Sequence, residues 1–156
     1  MTMNPDETEI QQAIENWIAA LRAKDLDRMM RDYDESAVLF DVKPPFQTKG
    51  AAAVRQVWEE ALPCFPEKFD YERRDVRLIV GSDVAVAHWL FHLVGWPDEH
   101  PAAQMWMRAT VVFRKVESRW LAVHEHVSLP FNPMNGMMVL SPDEDADRGS
   151  VCASAG

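Results

Sequence analysis

Hydrophobic and polar positions follow different periods in the two halves of the chain. Up to about residue 62, apolar residues recur every three or four positions, which is typical of amphipathic helices. From Phe69 onward they recur at every second position, which is typical of strands with one buried face. The pattern therefore predicts helices followed by a sheet, as in an α+β domain.

Three helices are predicted. The first begins with Asn4 as N-cap and Pro5 at the first helical position, and it should end near residues 23–24. Asp25 caps a short second helix, which the polar residues 34–36 would end. A third helix spans residues 51–62. The side chains predicted to face inward from the three helices are Ile10, Ile14, Trp17, Ile18, Leu21, Leu26, Met29, Met30, Tyr33, Val54, Val57, Trp58 and Ala61.

Strands are predicted at residues 38–42 and then at about 69–80, 83–95, 103–116 and 119–129, joined by turn signals. The last four would form an antiparallel meander. If such a sheet curves strongly around the first helix, it encloses a conical cavity, which is a usual place for a ligand.

The last strand, RWLAVHEHVSLP, sorts its side chains by parity. One face would carry Trp120, Ala122, His124, His126 and Ser128. The other would carry Leu121, Val123, Glu125, Val127 and Leu129. The second face is apolar except for one acid, and a lone carboxylate there must be paired, exposed or used in chemistry. A single β-bulge would exchange the two faces.

The composition narrows the class of partner. With 156 residues the chain is long enough for one domain with a cavity, and its net charge of −9 lacks the basic patch that nucleic acids or anionic membranes require. No apolar run approaches a membrane span, and the first residues lack the features of a signal peptide. Cys64 and Cys152 form no CxxC pair, so a cytoplasmic protein with reduced thiols is expected.

We predict a domain at residues 1–131 and a tail at 132–156, which is acidic and rich in small residues after Ser141. Residues 137–140 could instead pack on the domain or on a second subunit.

Two segments resemble a known family. Residues 19–27 between two helices, followed by Val38 to Asp41 and by Lys49-Gly50, resemble the ketosteroid-isomerase-like and SnoaL-like branches of the NTF2-like superfamily. The ending from Arg119 to Ser128 is similar to the W-x-x-V-H-x-H-x-S signature of its small bacterial members, and to the ending of the CaM-kinase association domain. The resemblance covers about residues 5–130. It implies an NTF2-like cone: three helices packed on a strongly curved antiparallel sheet, with dimerisation through the convex sheet face.

The resemblance also suggests residue roles. Asp41 stands where ketosteroid isomerases keep their catalytic base, while Trp17 replaces their oxyanion-hole tyrosine. Near Thr110-Val111, where they carry a protonated aspartate, no acid is present, so neither of the two groups that donate to the dienolate oxygen in those enzymes is kept. Steroid isomerisation is therefore not expected, whereas proton transfer as a class remains open. Asp41 could instead be a strand-end residue that caps a turn or pairs with an arginine.

Glu125 is the second candidate acid. If its face is concave, it shares the pocket with Asp41, and two carboxyl groups in different surroundings suit acid/base chemistry. The alternative is an ion pair with Arg108 or Arg73 on a wet face. The residues predicted to line the pocket are Trp17, Tyr33, Val54, Trp58, Trp89, Phe91, Val111 and Val127, although regularly spaced aromatic residues are more often plain core.

The histidines allow a metal-site interpretation, since His124 and His126 share one face and His88 and His92 another. No carboxylates with suitable spacing support them. We expect no metal and no cofactor. Instead, the convex face that would form a homodimer is predicted to include His88, Trp106, Arg108, His124 and His126, with Thr110 and Trp120 beside them.

Two functions remain open from the sequence. The first is an enzyme that binds a small apolar or polyketide-like carbonyl compound and transfers a proton, as an isomerase, cyclase or dehydratase does, with Asp41 as base. The second is a ligand-binding or association module without chemistry. No GxGxxG, GxxxxGK[ST], HExxH or GxSxG motif is present, so the signals for nucleotide, zincin and α/β-hydrolase chemistry are missing.

Overall fold

The computed structural model describes residues 4–143, which contain three α-helices. Helix α1 spans Pro5–Arg22, α2 spans Leu26–Met30 and α3 spans Ala51–Ala61. The Asn4 side chain accepts a hydrogen bond from the Asp6 backbone N–H at 3.1 Å, which satisfies one free donor of the first turn. The predicted starts of the helices and the ends of α1 and α3 are confirmed to within two residues.

Six strands form one curved, unclosed sheet with the order β2-β1-β6-β5-β4-β3. Their bounds are β1 Tyr33–Phe40, β2 Thr48–Lys49, β3 Asp70–Val80, β4 Val84–Val94, β5 Trp106–Val116 and β6 Arg119–Ser128. The α+β class and the NTF2-like plan are thus confirmed. One detail differs: β1 runs parallel to β6, whereas the other neighbours are antiparallel. The two strands lie far apart in sequence, so no hairpin turn sets their relative direction.

The first strand is longer than predicted. It begins at Tyr33, so Tyr33 projects from a strand rather than from α2, and residues 34–36 continue the strand instead of ending a helix. Their side chains make local hydrogen bonds, with Asp34 Oδ1 accepting from the Ser36 backbone N–H at 2.9 Å. Such local bonds favour turns in a sequence pattern. Here they lie in the irregular stretch of β1 between Tyr33 and Val38, which both pair with β6.

A β-bulge corrects the predicted faces of the last strand. Val112 and Phe113 are consecutive on β5, but they pair with His124 and Ala122 on β6, which leaves Val123 as the extra residue. The predicted alternation therefore holds only up to Ala122. Trp120 and Ala122 share the concave face with Glu125 and Val127, and Trp120 does not lie beside the histidines.

The core lies between α1 and the concave face of the sheet. Ile10, Ile14, Ile18 and Leu21 of α1 are buried against residues of β3 to β6. Asp6 ties the start of this helix to the sheet, because its carboxylate accepts from Lys115 Nζ at 2.7 Å and from the Trp120 indole N–H at 3.0 Å. These two bonds lower the pKa of Asp6. The helix thus closes the narrow end of the cone.

The segment after β6 turns back onto the sheet. Phe131 and Met138 pair as an isolated bridge, and the Trp106 backbone N–H donates to the Leu140 carbonyl at 2.8 Å. The part of the predicted tail beyond residue 143 lies outside the described residues. Within residues 4–143, the helices are all too short or too polar to cross a membrane.

Candidate active site

A cavity of about 480 Å³ lies between the helices and the concave face of the sheet. This volume is within the range of small-molecule sites. The walls are apolar and aromatic, and the exposed lining residues Arg28, Val42, Lys43, Glu60 and Cys64 mark the mouth. The principal wall residues are Ile14, Trp17, Leu21, Met29, Leu39, Trp58, Phe65, Tyr71, Trp89, Phe91, Met107, Val111, Phe113 and Val127.

Glu125 is buried in the wall of this cavity, with 9% of its surface exposed. Its Oε2 atom accepts a hydrogen bond of 2.5 Å from the Tyr33 hydroxyl. Burial raises the pKa of Glu125, the Tyr33 hydrogen bond acts in the opposite direction, and the nearby charge of Asp41 raises it further. Removal from water likewise raises the pKa of Tyr33 well above its ordinary value, with Glu125 contributing. The pair therefore places a hydrogen-bonded acid of raised pKa in an apolar wall.

The alternative position of Glu125, in an ion pair with Arg73 or Arg108, is not the one found. Arg73 is paired with Glu15, and Arg108 donates to Ser128 Oγ at 3.1 Å on the other side of the sheet. The bulge at Val123 decides this outcome, because it turns the side chain of Glu125 toward the helices.

Asp41 follows the last residue of β1 and lines the cavity together with Leu39, two residues earlier. It is half-buried, and its carboxylate accepts from the Val42 backbone N–H at 2.7 Å. Val42 and Lys43 are exposed at the mouth, so Asp41 lies close to solvent while Glu125 does not. The two acids predicted from sequence therefore share one cavity in unlike surroundings.

A second hydrogen-bonded pair lies in the same wall. The indole N–H of Trp89 donates to the Tyr71 hydroxyl oxygen at 2.9 Å. The Tyr71 ring stacks on Phe91, with a centroid distance of 4.9 Å and an angle of 3° between planes. Sequence reasoning did not select Tyr71. Its inward parity on a predicted strand was the signal that could have found it, but its bond to Trp89 depends on the register between β3 and β4.

The structure brings together all but one of the predicted pocket residues. Trp17, Tyr33, Trp58, Trp89, Phe91, Val111 and Val127 line the cavity beside Asp41 and Glu125. Val54 does not: it is fully buried beneath α3, one turn from Trp58. The apolar face of α3 is wider than the part of it that reaches the cavity. Helical periodicity alone therefore could not show that Trp58 lines the cavity and Val54 does not.

The four histidines on strands, His88, His92, His124 and His126, lie on the opposite, convex side of the sheet. His124 Nδ1 is 2.8 Å from the Val38 carbonyl oxygen, and the Phe40 ring lies against both His124 and His126. His88, Trp106 and Arg108 project from the same face. Among residues 4–143, no three His, Cys, Asp or Glu side chains are grouped closely enough to hold a metal ion.

The family model described as a SnoaL-like domain matches residues 10–132, which include every wall of the cavity. This chain belongs to the SnoaL-like family. Comparison with curated proteins finds no match.

Solved structures similar to this SnoaL-like chain share its fold. An NTF2-like protein of unknown function from Pseudomonas putida KT2440 is 29% identical, with a TM-score of 0.81 over 90% of this chain and 98% of that one. A provisionally assigned ketosteroid isomerase from Parabacteroides distasonis is 16% identical (TM-score 0.62; 80% and 87% covered). A provisionally assigned dehydratase of the NTF2-like family from Streptomyces avermitilis is 19% identical (TM-score 0.62; 80% and 97% covered). The last two likenesses concern the fold alone.

Proposed function

We propose that this SnoaL-like protein is a cofactor-independent enzyme that moves a proton within a small apolar carbonyl compound, as isomerases, cyclases and dehydratases do. The observation that carries the proposal is the pair of acids in one apolar cavity, one half-exposed and one buried against Tyr33. Two titratable groups with unlike environments are the arrangement that acid/base catalysis needs. Two structural relatives are provisionally assigned to such reactions, which agrees with the proposal.

In the proposed reaction Asp41 is the base. Its carboxylate takes a proton from the carbon next to the carbonyl group, and the electrons of the broken C–H bond move onto the carbonyl oxygen to form an enolate. Glu125, whose raised pKa favours the protonated form, is the second acid/base group and donates a proton to a carbon of the enolate as the C=O bond re-forms. Asp41 then releases its proton to water at the mouth and Glu125 regains one, which restores both groups. The apolar walls exclude water, which strengthens the electrostatic interactions between these groups and the ligand.

The proposal can be tested without knowing the natural substrate. A ketone such as 1-tetralone, incubated with the protein in D₂O, should gain deuterium beside its carbonyl group, and mass spectrometry measures the rate. Asp41→Asn should lower the protein-dependent rate by about 10²- to 10⁴-fold. The control is Asp98→Asn, because Asp98 is exposed and does not line the cavity. If Asp41→Asn exchanged deuterium as fast as the unchanged protein, Asp41 would not be the base.

The alternative is a ligand-binding module without chemistry. It is favoured by Trp17, which stands where ketosteroid isomerases carry their oxyanion-hole tyrosine. In that case ketones would bind and stabilise the fold, but no member of a ketone series would exchange deuterium faster than in buffer.

We further propose that two copies associate through the convex face, defined by His88, Trp106, Arg108, His124 and His126. The supporting observation is that these polar and aromatic side chains share one sheet face, on which His88, Arg108 and His126 are exposed. Aromatic residues and arginine are enriched at such interfaces.

A further inference from the structure

Resting on the proposed function, we propose that Tyr71 is a catalytic residue of this site, which donates its hydroxyl hydrogen to the carbonyl oxygen of the ligand, and that Trp89 is its positioning residue. Asp41 and Glu125 account for the movement of the proton. Neither accounts for the negative charge that collects on the oxygen when the C–H bond breaks, and a donor aimed at that charge contributes strongly to such reactions.

The two tyrosines of the cavity differ in the hydrogen bonds that their hydroxyl groups make. The hydroxyl hydrogen of Tyr33 is used on Glu125. The hydroxyl oxygen of Tyr71 accepts from Trp89, but within residues 4–143 its own hydrogen has no acceptor. A phenol hydroxyl can donate one hydrogen bond and accept another at the same time. The O–H of Tyr71 is therefore still available to donate to a ligand. It also lines the cavity and is buried, so a carbonyl oxygen in the cavity can reach it without competition from bulk water.

The contacts around Tyr71 hold this donor in place. The ring is fixed by its stack on Phe91, and the oxygen is fixed by the Trp89 N–H. The Arg73 guanidinium lies 5.9 Å from the centre of the Trp89 ring and is itself paired with Glu15. A donor whose orientation is set before the ligand arrives needs no reorganisation during the reaction.

The charges near Tyr71 suit a donor that keeps its proton. Burial raises the pKa of Tyr71, the Trp89 hydrogen bond acts in the opposite direction, and Glu125 raises it further. The hydroxyl therefore stays protonated at neutral pH, while the Trp89 N–H stabilises the negative charge that the oxygen gains when it donates.

Infrared spectroscopy of bound 1-tetralone labelled with ¹³C at its carbonyl tests the proposal without turnover. In the unchanged protein the carbonyl stretch should move to lower wavenumber than in an apolar solvent, as for a hydrogen-bonded ketone. In Tyr71→Phe it should return toward the solvent value, binding should weaken about threefold to tenfold, and deuterium exchange should fall about 10²- to 10³-fold. Trp89→Phe should give an intermediate wavenumber and a lower kcat with little change in KM.

The matched control is Tyr33→Phe, since its hydroxyl is already used on Glu125; the carbonyl stretch should keep the wavenumber seen in the unchanged protein. Asp41→Asn separates this proposal from the proposed function, because it should lower exchange by about 10²- to 10⁴-fold and leave the stretch unchanged. Suppose that Asp41→Asn exchanges deuterium at the unchanged rate while Tyr71→Phe loses the shift of the carbonyl stretch. Asp41 is then not the base, and Tyr71 is still the hydrogen-bond donor. An unshifted carbonyl in the unchanged protein, or a shift that survives in Tyr71→Phe, would overturn the inference.

A second measurement avoids substitution at Tyr71 altogether. The chain contains only two tyrosines, so protein grown with 3-fluorotyrosine should give two ¹⁹F resonances, and Tyr33→Phe assigns them. Saturation with 1-tetralone should move the Tyr71 resonance more than naphthalene, which has no acceptor oxygen, moves it. Equal shifts with the two compounds would contradict the proposed hydrogen bond.

Discussion

Glu125 shows how one residue can carry both a functional and a structural effect. Its carboxyl group is buried beside Asp41, and burial raises its pKa above the ordinary value of 4.5. A raised pKa of an acid means that the folded state holds a proton which the unfolded state has already lost. The stability linked to Glu125 is therefore fully present below pH 4.5 and is lost as the pH rises through the folded-state pKa.

This linkage predicts the behaviour of Glu125→Gln. Within the window above pH 4.5, the free energy of unfolding of the unchanged protein should fall by up to about 1.4 kcal/mol per pH unit from this group. Glutamine cannot titrate and can still accept from Tyr33, so the variant should gain stability relative to the unchanged protein as the pH rises. Urea unfolding between pH 4 and pH 8 measures the difference. Glu67→Gln, at an exposed position, should follow the unchanged protein at every pH.

At the scale of elements, the ends of the strands decide the shape of the cavity mouth. Gly95 follows β4 with a φ of +131°, and a Cβ built there would lie 2.7 Å from the Lys68 carbonyl oxygen. The next residue, Trp96, stacks on His100 and lines the cavity. The glycine therefore permits a close backbone approach that brings an aromatic side chain into the cavity wall.

Two glycines allow a matched comparison. Gly95→Ala should lower the free energy of unfolding by about 1–3 kcal/mol, because it combines an unfavourable φ with a backbone clash. Gly136 also has a positive φ, +71°, but a Cβ there has no neighbour within 4 Å, so Gly136→Ala should cost less. Equal losses for the two variants in urea unfolding would show that the contact with Lys68 is not restrictive.

At the scale of the whole molecule, the two faces of the sheet carry different side chains. The concave face holds the cavity with its tyrosines and acids, while the convex face presents histidines, Trp106 and Arg108. Arg74 extends this surface, since its guanidinium lies 4.2 Å from the centre of the Trp106 ring. A homodimer through the convex face would leave both cavities open.

The proposed homodimer predicts the effect of a charge reversal. Arg108→Glu should shift native mass spectra of micromolar protein from dimer to monomer, because it places a carboxylate within the interface. Lys68→Glu reverses the same charge at an exposed position before β3, and it should leave the dimer intact. A protein that is monomeric before any substitution would contradict the convex-face proposal.

Local signals were sufficient for helices α1 and α3 and for strands β3 to β6. Asn4, Pro5 and the apolar stripe of α1 act within one helix, so their spacing predicted its start and its buried face. The alternation of apolar and polar residues along β3 to β5 predicted the buried faces of these strands. Leu39 and Asp41 are two positions apart and were therefore predicted to face the same side, which placed the candidate base in the cavity. These features could be predicted because each depends on residues a few positions apart.

Only the tertiary structure decided the chemistry of the cavity. The bulge at Val123 lies in a strand that pairs with β5 on one side and with β1 on the other, and it turns Glu125 inward. Tyr33 and Glu125 are 92 positions apart, and Tyr71 meets Trp89 through the register of β3 and β4. The sequence by itself determined the cone, its buried helix face and one acid at its mouth. The inward position of the second acid, Glu125, and its bond to Tyr33 depend on strand register, which long-range packing sets and periodicity does not contain.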